Sequence, residues 1–359
     1  MTYKHSCIIS NVATFKVFSK NFAYLNRNNA LYLNEEELYY QVEDFFFFDE
    51  KLCFHKQGKT IFLDLKVRQQ KTLNKFFLYE NYFDNTFLVS YDEKKEVNHK
   101  WSSKYAIYQL EPFVKIYELP SRYIGSGERY GNLYFLFSNE KLQIKCLSLV
   151  TGEYNWGVNI GLDKKIVNIL GISDNKLVLT YEVDAQKPYG LAIIETNTGA
   201  LMYDSLHNGL HPHRSTLRLA SQTVFCCCMY APERVPRNHY WEFDIKKQQI
   251  SRRGFLIELD NLGLVIAGVN LQDDLLYFTA DYKGQWANVI GVLDYHTLKL
   301  LWWQKVEMAE GAFFGNGHVP QVGEDKLYIL DTKGTLHIFE KEEDSASSLP
   351  LSTEDLVPF

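Results

Sequence analysis

The sequence predicts an all-β fold: a single β-propeller, counted here as seven four-stranded blades. Three observations predict it. A strand–turn–strand grammar recurs roughly every 45 residues, the spacing of propeller blades. Aromatic residues make up 15% of the 359-residue chain, with 24 Tyr and 24 Phe, a composition that favours strands. Helical segments do not alternate with the strands, which argues against a parallel α/β fold.

Stacking the most apolar strands exposes the repeat. Strands of this kind start at Lys51, Thr86, Asn132, Asn175, Thr223, Asp273 and Asp325, 43 to 52 residues apart after one shorter first step. A second strand follows each, as in "TIFLDLKV", "LAIIETNTGALMY" and "VIGVLDYHTLKLLWW". It often ends on an acidic residue (Asp64, Glu195, Asp244, Asp294), read as the cap of the turn that follows. The last unit holds only three strands, so an N-terminal strand must supply the fourth and remove the open edge. Residues 13–21, "ATFKVFSKN", are expected to be that strand. The propeller is then 1–342, and 343–359 is an acidic, Ser-rich tail expected to be disordered.

"LSLVTGEYNWGVNIG" and "VLDYHTLKLLWWQKVE" resemble the repeat of the quinoprotein (PQQ-like) propellers. That repeat has an acidic strand end, a Thr-Gly turn and a Trp that docks between blades. The likeness is strongest over 132–203 and 273–340. It implies docking positions at Trp156 and Trp302, with Tyr203 substituting in a third blade, while "KQQISRR" offers no aromatic. Cofactor-using members of the family are larger, secreted, and typically carry eight Trp-docked blades. This chain departs from them, so no cofactor is expected. The adjacent Cys226-Cys227-Cys228 is similar to a feature of some quinone dehydrogenases, but in the strand-like run "TVFCCCMY" the cysteines read as buried packing residues.

The net charge of −6 argues against a generic nucleic-acid or membrane-surface binder. The N-terminus has no apolar core of the signal-peptide kind, and no apolar run approaches the roughly 20 residues that span a bilayer. A cytoplasmic protein, monomeric on its own, is the expectation.

Chemistry-bearing patterns are sparse. His207, His211 and His213 could in principle hold a metal, but no carboxylate lies in "HNGLHPHR" to complete a site, so none is expected. "GSGER" and "GNGH" are Gly-rich turns into inner strands, not phosphate loops. No Ser-His-Asp order, H-E-x-x-H or Walker motif is present. The alternative to a binding protein is a hydrolase or lyase acting on a small or sugar-like ligand at the channel mouth, with His213, His318 and Arg129 converging there.

The more informative feature is regional. In a propeller, interblade loops share one face with the loops between each blade's second and third strands. The longest loops fall there, and they are rich in Arg, Lys, Tyr and Trp, the Arg and aromatic residues being those enriched at interface hot spots. The residues expected to bind are Trp101, Arg122, Arg129, His213, Arg214, Arg234, Arg237, Trp286 and His318. The expected partner is a protein or peptide with an acidic surface, as for a bacterial immunity protein or a scaffold.

Overall fold

A computed structural model describes residues 1–48, 50–73, 76–77, 87–97, 100–110, 113–118, 127–130, 132–138, 143–148, 150–161, 164–183, 189–207, 210, 215–218, 221–229, 237–315 and 318–342. Over them the chain forms eight antiparallel four-stranded sheets. The propeller is as expected; the count of seven blades is corrected to eight. Among the described residues the only helix is the short Ile257–Leu262, and no helix is long and apolar enough to cross a membrane.

The additional blade is the first: Val12–Phe18, Asn21–Asn26, Leu31–Leu33 and Glu36–Tyr39. Its outer strands span three and four residues, too short to show an alternating pattern. Residues 13–21 therefore do not close the ring; Val12–Phe18 is the inner strand of blade 1. Closure belongs to Tyr3–Ile9, which pairs with Leu336–Lys341 from Tyr3 opposite Lys341 to Ile9 opposite Leu336. Blade 8 is thus Gln321–Val322, Lys326–Leu330, Leu336–Lys341 and the N-terminal strand. Val12 N donates to Gly334 O at 2.8 Å beside this junction. Gly334 has φ +86°, and a Cβ there would lie 2.6 Å from Val12 O, so only glycine fits.

The turn residues that open the repeats have a physical reason. Asp174-Asn175, Asp273-Asp274, Gln57-Gly58 and Lys283-Gly284 all take positive φ at both positions, as in the two-residue hairpin turns whose twist matches the strands. The acidic strand ends are caps. Asp64 Oδ1 accepts from Lys66 N at 2.9 Å and Val67 N at 3.0 Å, and Asp244 Oδ1 accepts from Lys247 N at 2.8 Å. Asp294 Oδ1 accepts from both the backbone N and the hydroxyl of Thr297 at 2.7 Å. These backbone donors lower the pKa of each carboxyl.

The core is a series of layers between blades. One layer joins Ala23, Leu25 and Leu31 of blade 1 to Val42, Phe45 and Phe54 of blade 2 (Val42–Phe48, Lys51–Lys56, Lys59–Asp64, Gln70–Leu73). Another joins Phe15, Phe22 and Tyr24 to Tyr328 and Ile338 across the ring seam. Blade 4 spans Gly127–Tyr130 to Tyr154–Asn159, and blade 5 spans Lys164–Ser173 to Leu201–Leu206. Blade 6 spans Ser215–Arg218 to Gln249–Phe255, and blade 7 spans Leu264–Gln272 to Leu300–Lys305. Cys226 packs in the layer between blades 5 and 6, and Cys227 in the layer between 6 and 7, as the pleat demands of neighbours in a strand. Both are buried. They belong to opposite interblade layers.

In blades 4 to 7 one position on the outer strand docks onto the next blade. Trp156 donates from Nε1 to Thr196 O at 2.7 Å and lies against Gly199 of the Thr-Gly turn. Trp302 packs on Tyr3 with the rings tilted and their centroids 5.1 Å apart, so it helps hold the closing strand. Tyr203 packs on Phe243 at 4.7 Å. Arg252 takes the position in blade 6, donating to Tyr295 O at 3.2 Å and His296 O at 2.8 Å. Its guanidinium lies over the Tyr295 ring at 5.4 Å.

Candidate binding face

In every blade the inner strand starts at the end of the disc where the preceding interblade loop arrives, and the second-to-third-strand turn returns to that end. Trp286 and Phe313 display the outcome. Trp286 opens Gln285–Asp294, just after the turn at Lys283-Gly284; Phe313 lies in the segment 306–320 between blades 7 and 8. Their rings meet with centroids 5.2 Å apart, yet Trp286 remains 73% exposed. Phe313 is itself anchored, since its N donates to Thr332 Oγ1 at 3.3 Å and its O accepts from Thr332 N at 2.9 Å. Close by, Lys283 and Lys305 stand over the Tyr282 ring at 5.1 and 5.4 Å.

Blade 3 gives the face a second feature. Phe87–Val97 and Lys100–Leu110 are eleven-residue strands, against five to eight for the second strands of the other blades. The inner strand Phe76–Phe77 pairs only as far as Tyr91, and the outer strand Phe113–Glu118 only as far as Ala106. From Glu93 opposite Lys104 to Val97 opposite Lys100, the hairpin therefore pairs only with itself among the described residues. "YDEKKEVNHKWSSK", expected as a loop, is largely a two-stranded ribbon. At about 3.3 Å per residue its five paired positions extend some 15 Å beyond the four-stranded blade. Trp101 sits on this ribbon, opposite Glu96.

The other expected residues are distributed as follows. Arg129 lies on Gly127–Tyr130, the inner strand of blade 4, opposite Tyr134. Arg237 precedes the third strand of blade 6, and its N donates to Asp260 Oδ1 at 3.1 Å. His318 is half-buried ahead of the inner strand of blade 8, with Nδ1 2.8 Å from Leu330 O. That carbonyl can only accept, so Nδ1 carries the proton. Arg122, His213, Arg214 and Arg234 lie outside the described residues, as does the tail 343–359. The described part of this face is mixed in sign, since the segment after blade 7 carries exposed Glu307 and Glu310.

His207 belongs to the packing between blades, not to an open site. Its Nε2 is 3.0 Å from the Tyr203 hydroxyl, its ring is 5.1 Å from that of Trp241, and burial lowers its pKa. His211 lies outside the described residues. Among those that are described, no group of three or more His, Cys, Asp or Glu is placed to hold a metal.

Two residues went unselected in the sequence. Phe313 was signalled by an aromatic doublet, "AFFG", inside an interblade segment. Arg252 had no signal, because the docking position was sought as an aromatic.

The fold resembles those of several solved structures. BamB from Moraxella catarrhalis matches with a TM-score of 0.53 at 12% identity, over 95% of this chain and 98% of that one. A quinohemoprotein alcohol dehydrogenase, ADHIIG from Pseudomonas putida HK5, matches with 0.53 at 10% identity, over 99% of this chain and 78% of that one. A eukaryotic initiation factor matches with 0.52 at 8% identity, over 90% and 96%. The architecture is that of the PQQ-like β-propellers. No family model and no curated protein matches the chain. Within this architecture the described docking positions are unusually varied: Trp156 and Trp302 keep the tryptophan, and Tyr203 and Arg252 replace it.

Proposed function

We propose that the chain is a non-catalytic binding propeller that holds a protein partner on the face of its interblade loops. The observation that carries this is Trp286, a large aromatic ring held out to solvent on an anchored Phe313. Trp is the residue type most concentrated at interface hot spots, because it buries a large rigid area at small entropic cost. The ribbon of blade 3 rises from the same face, and its two edges, which pair with no other strand among the described residues, offer backbone groups to a partner strand. Lys94, Lys95, Lys100 and Lys104 on the ribbon and Arg129 on the inner strand of blade 4, together with Arg122, Arg214 and Arg234 of the sequence, suit a partner with an acidic patch. An immunity protein capping a toxin, or a scaffold, would use such a face.

The test begins with affinity purification from the native source and mass spectrometry. Binding of the recovered partner is then measured for Trp286→Ala with Phe313→Ala, for Arg234→Glu with Arg237→Glu, and for Lys246→Glu on the opposite face. The first two should weaken binding at least tenfold, and the third should not. Loss confined to Lys246→Glu would move the interface to the other face, and no loss anywhere would remove it from both.

A further inference from the structure

The ring seam holds a cavity of about 270 Å³ on the face opposite the candidate binding face. It opens where the first-to-second-strand turns of blades 8 and 1 meet the third-to-fourth-strand turn of blade 1. Its aromatic wall is Phe22 and Tyr328, whose rings lie 5.0 Å apart. Its rim carries Glu35, Glu324 and Asp325. Two lysines also line it, but Lys326 is taken by Glu340 at 2.7 Å, which leaves Lys20 as one ammonium against three carboxylates.

Tyr328 is the unusual member. It is only 3% exposed, it lines the cavity, and its hydroxyl has no hydrogen-bond partner among the described residues. Buried phenols ordinarily find one, because an unmet hydroxyl costs about 1–3 kcal/mol. The hydroxyl is not among the sealed polar atoms that lack a partner, and Tyr328 lines the cavity, so water or a ligand there can meet it. Burial and the nearby Glu340 and Glu35 push its pKa up to about 12, so it is a neutral phenol that donates or accepts.

We propose that this seam cavity binds an alkylammonium group, with the Tyr328 hydroxyl and the Glu35 and Asp325 carboxylates as acceptors and the Phe22 and Tyr328 rings as walls. An ammonium has three donors and no acceptor, so it matches a set of unmet acceptors. Aromatic faces attract the same cation, and desolvation strengthens that attraction. The shared chemistry could come from a free alkylamine or from a lysine side chain of another protein. Neither depends on the loop face, so the two proposals fail or stand separately.

The test is calorimetric titration of the full chain with n-pentylammonium, 1-pentanol and pentanoate. Pentylammonium should bind, and the neutral and anionic probes should not. Tyr328→Phe, which removes only the hydroxyl, should weaken binding at least threefold. Glu35→Gln with Asp325→Asn, both on the surface, should weaken it at least tenfold and reduce its salt dependence, Glu324 remaining charged. Tighter binding of an N-acetyl-lysine amide than of pentylammonium would identify a protein lysine as the source, and the reverse order a free amine. Absence of binding at millimolar pentylammonium, or equal binding by pentanol, or affinity unchanged in both variants with native melting curves, would overturn the proposal.

Discussion

Arg252 and Tyr295 make across blades 6 and 7 the contact that Trp156 and Thr196 make across blades 4 and 5. In each pair an N–H from the outer strand donates to the carbonyl just past the neighbouring blade's third strand. Opposite Trp156 stands the apolar-packing Cys146; opposite Arg252 stands Glu242. The guanidinium pairs with Glu242 at 3.2 Å, and the Tyr295 hydroxyl donates to the same carboxylate. The charge that replaced the indole thus brought its own counter-charge.

Arg252→Ala should therefore destabilise the fold by about 2 kcal/mol or more, because it strands Glu242 as well as losing the donor. Arg252→Trp alone should recover little, since Glu242 would then face an indole. Arg252→Trp with Glu242→Val should recover most of the loss. Urea denaturation of the three variants measures this.

Gly199→Ala tests the docking of Trp156. Gly199 has φ +75°, and a Cβ there would lie 2.6 Å from Trp156 Cδ2. We expect a cost of about 2–3 kcal/mol from backbone strain and displaced indole. Trp156→Ala should also destabilise by at least about 2 kcal/mol, and the double variant should cost less than the sum. A thermodynamic cycle from chemical denaturation gives the coupling.

Removing residues 1–9 takes away the strand that pairs with Leu336–Lys341 and uncovers two edges. The truncated chain should lose its cooperative melting transition or melt at least 10 °C lower. Adding back a peptide of residues 1–11 should restore part of the transition.

Stability should fall on acidification through the histidine range. Burial lowers the pKa of His5, His207, His239 and His337, although Asp331 beside His337 pulls that one partly back. A base with a depressed folded pKa takes up its proton more readily in the unfolded chain. Its contribution is full above the unfolded value near 6.5 and is lost as pH falls towards the folded one. His5 stacks on Phe339 at 4.7 Å, and its buried Nε2 has no partner among the described residues. His5→Phe should keep the stacking and flatten the decline in unfolding free energy between about pH 7 and 5, as read from denaturant titrations at each pH.

Trp286→Ala should leave stability within about 0.5 kcal/mol of the parent, because the ring is mostly solvated. A larger loss in thermal melting would make Trp286 a packing residue and weaken its case as a binding one.

The repeat was legible because its signals are local. Asp294 and Asp64 sit where a turn needs an acceptor, and Asn175 and Asp273 sit where a turn needs positive φ. Blade 1 was hidden because Leu31–Leu33 and Glu36–Tyr39 are too short for a period-two pattern to register. The closing strand was misassigned because "YKHSCII" alternates polar and apolar residues no better than "ATFKVF" does, and only pairing decides between them. The face was legible as a gathering of loops, yet the ribbon of blade 3 was read as loop because "DEKKEVNHK" is charged. A two-stranded extension has no buried face to enforce apolar alternation. The seam cavity had no local signal, since Tyr328 and Glu35 meet only when the ring is complete.

The pairing of Tyr3–Ile9 with Leu336–Lys341 sets a schedule for biosynthesis. Tyr3–Ile9 leaves the ribosome well before its partner, which is made more than 300 positions later. At about 5–20 residues per second, that strand waits from roughly 15 seconds to over a minute. Throughout the interval a growing arc of stacked blades presents one unfinished end. The arc is shielded only by contacts between consecutive blades, so the interblade docking residues act before the ring exists. A nascent chain with a weak junction, such as one lacking Arg252, would be exposed to chaperones and proteases at that stage, before its equilibrium stability has any bearing.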